Sequence, residues 1–386
     1  MGNDEFQGTA TAHRLEVGFN YPWPWDKYGI YLGSGSPPGA DPSLSKWVDT
    51  LKANLVTLQQ LGITVVRIFL MGNLANWGTV QKREWNNGKD WWWDFTPPSQ
   101  LDSLFKDQLD AMFAAFAASQ MKVIPSLVDF GAACDVRNPD GRGMGVRCEI
   151  WKRFPTQKQF FDMVLEPFLD ISMKHIDSIF AWELMNEPIW VTLPPSMFGK
   201  PLNSFVDRFL PASDMETFLK EGLQRIQARV TTVPDPANPG TQKQTHAFKS
   251  TVGHRFAWNL DQLPLFGTTW PSGDIRQFHY YPSTEQFLDR MDDTLPNSRQ
   301  TRGAILGEFA AGPPVAAKHH KFWPEIPGES GLSTSDRMLR RLELIERKGY
   351  GLALIWPDLD GSAPGATDPL KLSAGAQDGV KRYLHK

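Results

Sequence analysis

Short runs of apolar and β-branched residues recur along the chain, and most are followed by a stretch with apolar positions three and four apart. Val17-Gly18-Phe19-Asn20-Tyr21 predicts a first strand. Trp47, Val48, Leu51, Leu55, Leu58 and Leu61 then fall at helical spacing, predicting a helix over Leu44 to Leu61 that Gly62 stops. Ile63 to Phe69 predicts a second strand, apolar on both faces except for Arg67 near its end, and a buried arginine needs an anion. A long aromatic loop with Trp77, Trp85 and Trp91-Trp92-Trp93 leads to a helix over Ser99 to Gln120. Lys122 to Val128 predicts a third strand ending at Asp129, and Thr156 to His175 the next helix. Ser178 to Met185 predicts the fourth strand. A proline-rich loop, a helix over Asp214 to Val230 and a turn-rich linker from Pro234 to Gly240 follow. Phe248 to Val252 predicts a weaker fifth strand reaching toward His254, Ile275 to Tyr281 a sixth stopped by Pro282, and Ala304 to Phe309 a seventh. After a helix over Ser335 to Lys348, Gly351 to Trp356 predicts the eighth strand, stopped by Pro357, and Leu372 to Leu384 a last helix.

Eight short buried strands alternating with helices predict an α/β fold, a (β/α)8 TIM barrel with long βα loops. No composition break or short-period repeat interrupts the pattern, so residues 1–386 are expected to form a single catalytic domain. In such a barrel the carboxyl ends of the strands converge on one face, where side chains read as site rather than scaffold. Arg67, Asp129, Asn186, Glu187, His254, His279, Tyr281, Glu308 and Trp356 all fall at or next to strand ends. Each alone has a structural explanation, such as a hydrogen-bonded histidine or a buried ion pair. Together they would require many separate desolvation partners. Around the fourth strand, Pro188 lacks the N–H that a central ladder needs and marks where pairing stops. It also biases Glu187 toward an extended backbone.

Composition and charge narrow the partners. With 40 basic and 43 acidic residues, a net charge of −3 and no long run of either sign, the chain shows no footprint for nucleic acid or an anionic membrane. No apolar run approaches the roughly 18 residues of a membrane span. The 15 Trp and 24 Phe against 7 Tyr are unusual, and a flat indole face suits stacking on a sugar ring as well as filling a core. Cys134 and Cys148 are the only cysteines. A disulfide between them would close a loop of about 15 residues, contribute roughly 3 kcal/mol and indicate an oxidising compartment; two ordinary thiols are the alternative. The bonded reading, with a trimmed leader, favours a secreted or periplasmic protein, and the unbonded one a cytoplasmic protein. There is no His-Glu-x-x-His and no phosphate-loop pattern, His319-His320 alone is too little for a metal, and neither a metal nor a cofactor is expected.

The two glutamates at strand ends suggest paired chemistry. Glycoside hydrolysis needs one proton donor to the leaving oxygen and one carboxylate facing the anomeric carbon. Arg67, with His279 or Tyr281, would hold Glu308 ionised as a nucleophile, and small Gly307 beside it leaves room for close approach. Glu187 would carry the proton, helped by partial burial and a neighbouring anion.

Trp182-Glu183-Leu184-Met185-Asn186-Glu187-Pro188 resembles the Asn-Glu-Pro motif of the retaining clan A glycoside hydrolases, and Ile305-Leu306-Gly307-Glu308-Phe309 resembles their strand-seven nucleophile motif. His279-Tyr280-Tyr281-Pro282 is similar to their strand-six His-x-Tyr, and Trp356 falls where they keep a strand-eight Trp. The resemblance implies Glu187 as acid/base and Glu308 as nucleophile. It also implies Asn186 on the 2-hydroxyl, Arg67 and Tyr281 bracketing the nucleophile, His279 supporting the acid/base, and Trp356 under the −1 sugar. The chain is most like family 5, the cellulase and mannanase family, but carries Asp129 where many members have His. That departure leaves family 39 and other relatives open.

Trp25, Trp77 and Trp190, with Asp129 and His254, are the remaining substrate-binding candidates. They point to an oligo- or polysaccharide substrate held by stacking faces, a β-linked mannan or glucan first, and to a monomer with no further partner. An exo-acting β-glycosidase of a related family, or an inactive sugar-binding barrel, are the alternatives.

Overall fold

The computed structural model describes residues 14–22, 32, 44–71, 79–85, 90–96, 101, 103–130, 154–192, 212–238, 240–254, 271, 273–280, 303–310, 329, 331–357 and 370–386. In chain order the elements are β1 (Glu16–Tyr21), α1 (Leu44–Gln60), β2 (Val65–Met71), β3 (Thr79–Trp85), β4 (Asp90–Thr96), α2 (Ser103–Ala118) and β5 (Lys122–Asp129). Next come α3 (Phe154–Phe160), a π-helical turn (Phe161–Leu165), α4 (Glu166–Ser172), a 3-10 segment (Met173–Ser178), β6 (Trp182–Asn186), a 3-10 turn (Pro188–Val191) and α5 (Ala212–Gln227). The chain continues through β7 (Val230–Pro234), β8 (Gln242–His246), β9 (Ser250–His254), β10 (Gln277–Tyr280), β11 (Ile305–Ala310), α6 (Thr334–Arg347), β12 (Leu352–Trp356) and α7 (Ala374–Leu384).

Eight of these strands close into a barrel in the order β1-β12-β11-β10-β9-β6-β5-β2. Each barrel strand lies beside the next one in sequence, and β12 returns to β1. The pairs β1/β12, β10/β11, β11/β12, β5/β6 and β6/β9 are parallel. This is the (β/α)8 barrel that the alternation predicted, with the eight predicted strands as its staves.

The long loop after β2 departs from expectation. It carries an antiparallel hairpin, β3 with β4, in which Thr79 pairs with Thr96 and Trp85 with Asp90. The tryptophan triplet obscured the period-two pattern of a strand, while Asn87-Gly88 between the arms is a strong hairpin signal that outweighs it. The linker Pro234 to Gly240 is likewise the turn of a second hairpin, β7 with β8. The helix predicted over Thr156 to His175 is interrupted by the π-helical turn and tightens to 3-10 geometry, with His175 at φ −126°.

The chain forms two compact units. The first comprises Met1–Tyr21, Asn54–Arg67 and Ile275–Lys386. Its strands β1, β12, β11 and β10 bury Val17, Phe19, Leu306, Leu352 and Leu354, and Phe278 packs on Tyr350 with ring centroids 5.4 Å apart. Helices α6 and α7 each begin at a serine N-cap: Ser333 accepts from the Asp336 N–H at 3.1 Å and Ser373 from the Ala376 N–H at 3.3 Å. Arg341 on α6 holds buried Glu329 through a two-point pair, Nε to Oε1 at 2.8 Å and Nη2 to Oε2 at 2.6 Å. The second unit comprises Pro22–Ala53 and Ile68–Asp274. Here the outer face of β6 packs Trp182 edge-on to Phe113 of α2, centroids 6.3 Å apart, and Phe161 stacks on Phe218 of α5 at 4.9 Å.

The Glu329 pair makes a testable point about fold stability. Arg341→Met removes this two-point pair from the buried carboxylate, to which the nearby Arg337 brings its Nε only to 3.7 Å, and should cost about 3 kcal/mol in urea unfolding. Replacing Glu329 and Arg341 together by apolar residues should recover most of that loss.

Candidate active site

Arg67 on β2 and Glu308 on β11 are both buried, and their side chains meet: Arg67 Nη1 donates to Glu308 Oε1 at 2.7 Å. A guanidinium cannot shed its charge inside a protein, so the anion that the sequence required for Arg67 is Glu308. The same Nη1 donates to Asn20 Oδ1 at 3.0 Å. His279 at the end of β10 brings Nδ1 to 3.5 Å from the same Glu308 oxygen.

The backbone around Glu308 is irregular in a way that alternation does not predict. The β10/β11 register shifts between Phe278 and His279, so that Phe278 opposes Leu306 while His279 opposes Glu308. On the other side Leu306 opposes Ala353 but Phe309 opposes Ile355. One extra residue is inserted at Gly307-Glu308 relative to each neighbour, a β-bulge that bends the strand and re-aims the side chain. A period-two count along β11 therefore does not carry from Leu306 across Gly307 to Glu308. A Cβ at Gly307 would lie 2.6 Å from Gln277 Nε2 and 2.9 Å from His279 Cδ2, so the missing side chain makes room for the histidine ring.

In the second unit, Asn186 ends β6 and Glu187 follows it as the cap of the 3-10 turn. Glu187 has φ 46° and ψ 50°, left-handed rather than the extended geometry expected before proline. Proline disfavours the right-handed helical region for the preceding residue. The chain must nevertheless turn from β6 into the 3-10 turn headed by Pro188, and the left-handed well makes that turn. Such a conformation is sparsely populated for a non-glycine residue and costs about 1–3 kcal/mol, which a hydrogen bond from the Glu187 N–H to Gly253 O at 2.7 Å helps offset. A register shift between Glu183 and Asn186 against β9 precedes it, so this carboxylate also follows a bulge.

Asp129 at the end of β5 is level with Asn186, and Asn186 Nδ2 donates to Asp129 Oδ1 at 2.6 Å, both residues buried. An ionised carboxylate only accepts, so this contact fixes which way the amide faces. Lower in the same strands, Ser126 donates to the fully buried Glu183 carboxylate at 2.7 Å. His254 ends β9, one residue past the Gly253 that opposes Asn186. Burial drives its imidazole down to about 4, against a smaller upward pull from a hydrogen bond to Pro271. Proline offers only a carbonyl, so His254 donates there, and its Nε2 is buried with no hydrogen-bond partner among the described residues.

Of the other candidates, Trp356 ends β12 and is half-buried. Trp190 lies in the 3-10 turn after Glu187, but its side chain is outside the described residues, as are Tyr281, Trp25, Trp77, Cys134 and Cys148. Asn20 and the Ser126–Glu183 contact were not singled out from sequence. A polar residue in an otherwise apolar strand was the available signal in both cases. Among the described residues no helix is long and apolar enough to cross a membrane.

The fold and these strand-end groups define the class first: a (β/α)8 barrel with buried polar chemistry at the carboxyl ends of its strands. Among solved structures the chain is similar to the β-mannanase from the blue mussel Mytilus edulis, at 16% identity over 97% of this chain and 92% of that one, TM-score 0.59. The β-1,4-mannanase from the common sea hare Aplysia kurodai (15%, 97% and 93%, 0.58) and the endo-1,4-β-mannanase from Eisenia fetida (17%, 96% and 91%, 0.57) are also similar. At such identities the likeness is one of fold. No protein-family model matches the chain, and no curated protein sequence matches it significantly.

His254 generates a prediction with a definite sign. Its folded value, about 4, lies below the ordinary 6.5, so between those pH values the unfolded chain binds more protons and stability falls as pH falls. Urea midpoints measured from pH 7 to pH 4 should decline less steeply in His254→Gln than in the parent, the difference approaching roughly 3 kcal/mol at the acid end. Parallel declines would mean that the imidazole is not held neutral by the fold.

Proposed function

We propose that the chain is a retaining glycoside hydrolase acting on a β-linked glycan, mannan before glucan. The observation that carries this reading is the buried Arg67–Glu308 pair at a bulge in the seventh barrel strand. The fourth strand supplies the other half, ending in Asn186-Glu187-Pro188 with a strained glutamate. In a parallel barrel the carboxyl ends of all strands open on one mouth, where active sites of this fold lie. The fold likeness to three proteins described as β-mannanases favours mannan as the first substrate to try.

In this reading Glu308, facing a permanent cation, attacks the anomeric carbon while Glu187 gives its proton to the departing glycosidic oxygen. The sugar is left as an ester on Glu308. Glu187, now a carboxylate, takes a proton from water as that water attacks the same carbon, and the carbon–oxygen bond to Glu308 breaks. Two inversions return the starting anomer. Asn186, its amide turned by Asp129, contacts the sugar beside the reacting carbon, and Trp356 supplies an apolar face beneath it.

The test is hydrolysis of β-mannan, β-glucan and their oligosaccharides, with the product anomer followed by NMR. Retention is expected, and an inverted product would remove the double displacement. Glu187→Gln should lower mannan hydrolysis by about 10²–10⁴-fold, with a much smaller loss on an aryl glycoside whose leaving group needs no proton. A 2-deoxy-2-fluoro glycoside with a good leaving group should label Glu308 in the intact protein. A label on Glu187 would exchange the two roles, and no turnover of any β-glycan would sink the proposal.

A further inference from the structure

Asn20, at the end of β1, is fully buried and bonds both to Arg67 and to the backbone beside Glu308. Its Oδ1 accepts from Arg67 Nη1 at 3.0 Å, and the same guanidinium nitrogen donates to Glu308 at 2.7 Å. Its Nδ2 donates to Gly307 O at 2.9 Å and to Leu354 O at 3.1 Å. The second set of bonds explains the first. A bulge leaves ladder groups without their regular partners, and a buried carbonyl without a donor costs about 1–3 kcal/mol. Gly307 is the inserted residue of β11, and Leu354 is the single residue of β12 set between the two register pairs that flank the insertion. One side-chain amide supplies donors to both carbonyls and, from its other end, the acceptor that holds the arginine.

We propose that Asn20 is a positioning residue for the nucleophile: it locks the bulge that aims Glu308 and fixes the Arg67 guanidinium that faces it. An amide does what neither a carboxylate nor a hydroxyl does at this position. Aspartate accepts from Arg67 but has no donor for the two carbonyls, and serine donates to one carbonyl without reaching the guanidinium. Asn20 is fully buried and bonded to Arg67, so its effect passes through Arg67 and Glu308. This inference rests on the nucleophile role proposed for Glu308 in its kinetic part only.

The test separates positioning from simple stapling of β1 to its neighbour strands. In Asn20→Ala, labelling by the 2-deoxy-2-fluoro glycoside should slow at least tenfold in the bond-forming step while the binding constant of the reagent changes less than threefold. In the pair Asn20→Ala with Arg67→Lys, the double variant should label no more slowly than Arg67→Lys alone, because one residue acts through the other. Asn20→Ser is the fallback if the alanine variant does not fold. Independently of activity, the side-chain N–H signals of Arg67 in ¹⁵N NMR, assigned through Arg67→Lys, should be resolved in the parent, broadened in Asn20→Ala and Asn20→Ser, and kept in Asn20→Asp. A lower melting temperature with unchanged Arg67 signals, or additive losses in the double variant, would overturn the proposal. A protein that labels nowhere but whose Arg67 signals respond as described would keep the positioning role and remove the nucleophile reading instead.

Discussion

The constraint on which the site depends is a buried charge pair. A guanidinium and a carboxylate taken out of water each lose several kcal/mol of hydration, and their attraction restores it only when geometry is good and the remaining polar atoms are bonded. Arg67 and Glu308 meet at 2.7 Å, and the groups around them read as answers to that demand. Gly307 omits a side chain so that His279 fits against the carboxylate. The bulge turns Glu308 relative to its strand. Asn20 satisfies the carbonyls that the bulge disturbs. Removing any one leaves a buried polar atom or a displaced charge, so these residues form one unit of chemistry rather than four independent contacts.

The fourth strand meets a different demand with a similar device. Glu187 also follows a register shift, and its distinguishing feature is a left-handed backbone pinned by Gly253. Strain of this kind persists only where surrounding structure fixes it, and it is found at sites where a side chain must be aimed. Asp129 and Asn186 add a second fixed orientation one residue earlier. The features on view at the two carboxylates therefore differ: a charge pair and a bulge at Glu308, a left-handed backbone at Glu187.

Most of the architecture was legible in the sequence because a barrel stave buried on both faces must be a short apolar run, and the eight runs from Val17 to Trp356 correspond to the eight barrel strands. The polar groups at strand ends were legible for the same reason, since Arg67, Asp129, Asn186, His279 and Glu308 break apolar runs where hydration is lost. What could not be read was anything set by register. The bulges at Gly307 and before Asn186 arise from how two neighbours pair with a strand, which no single strand's pattern contains. The left-handed Glu187 arises from where the chain must go next, which overrode the local preference before Pro188. The β3/β4 hairpin was hidden by three consecutive tryptophans that mask alternation, although Asn87-Gly88 marked its turn.

Within the barrel strands, the failures of local prediction are concentrated where the chemistry is expected. A sequence specifies its fold through agreement between propensity, pattern and packing, and natural chains depart from that agreement mainly where function requires a side chain to be held against preference. Here the departures fall on Glu187 and on Gly307-Glu308, two short stretches of the fourth and seventh barrel strands, while the strands themselves follow the pattern. Apolar staves tolerate wide exchange as long as volume and pattern are kept, whereas the bulge, the left-handed turn and the amide at Asn20 each admit few side chains. An amide that must donate to two carbonyls and accept from a guanidinium has no conservative substitute, so the residue least conspicuous in the sequence is among the most tightly specified in the site.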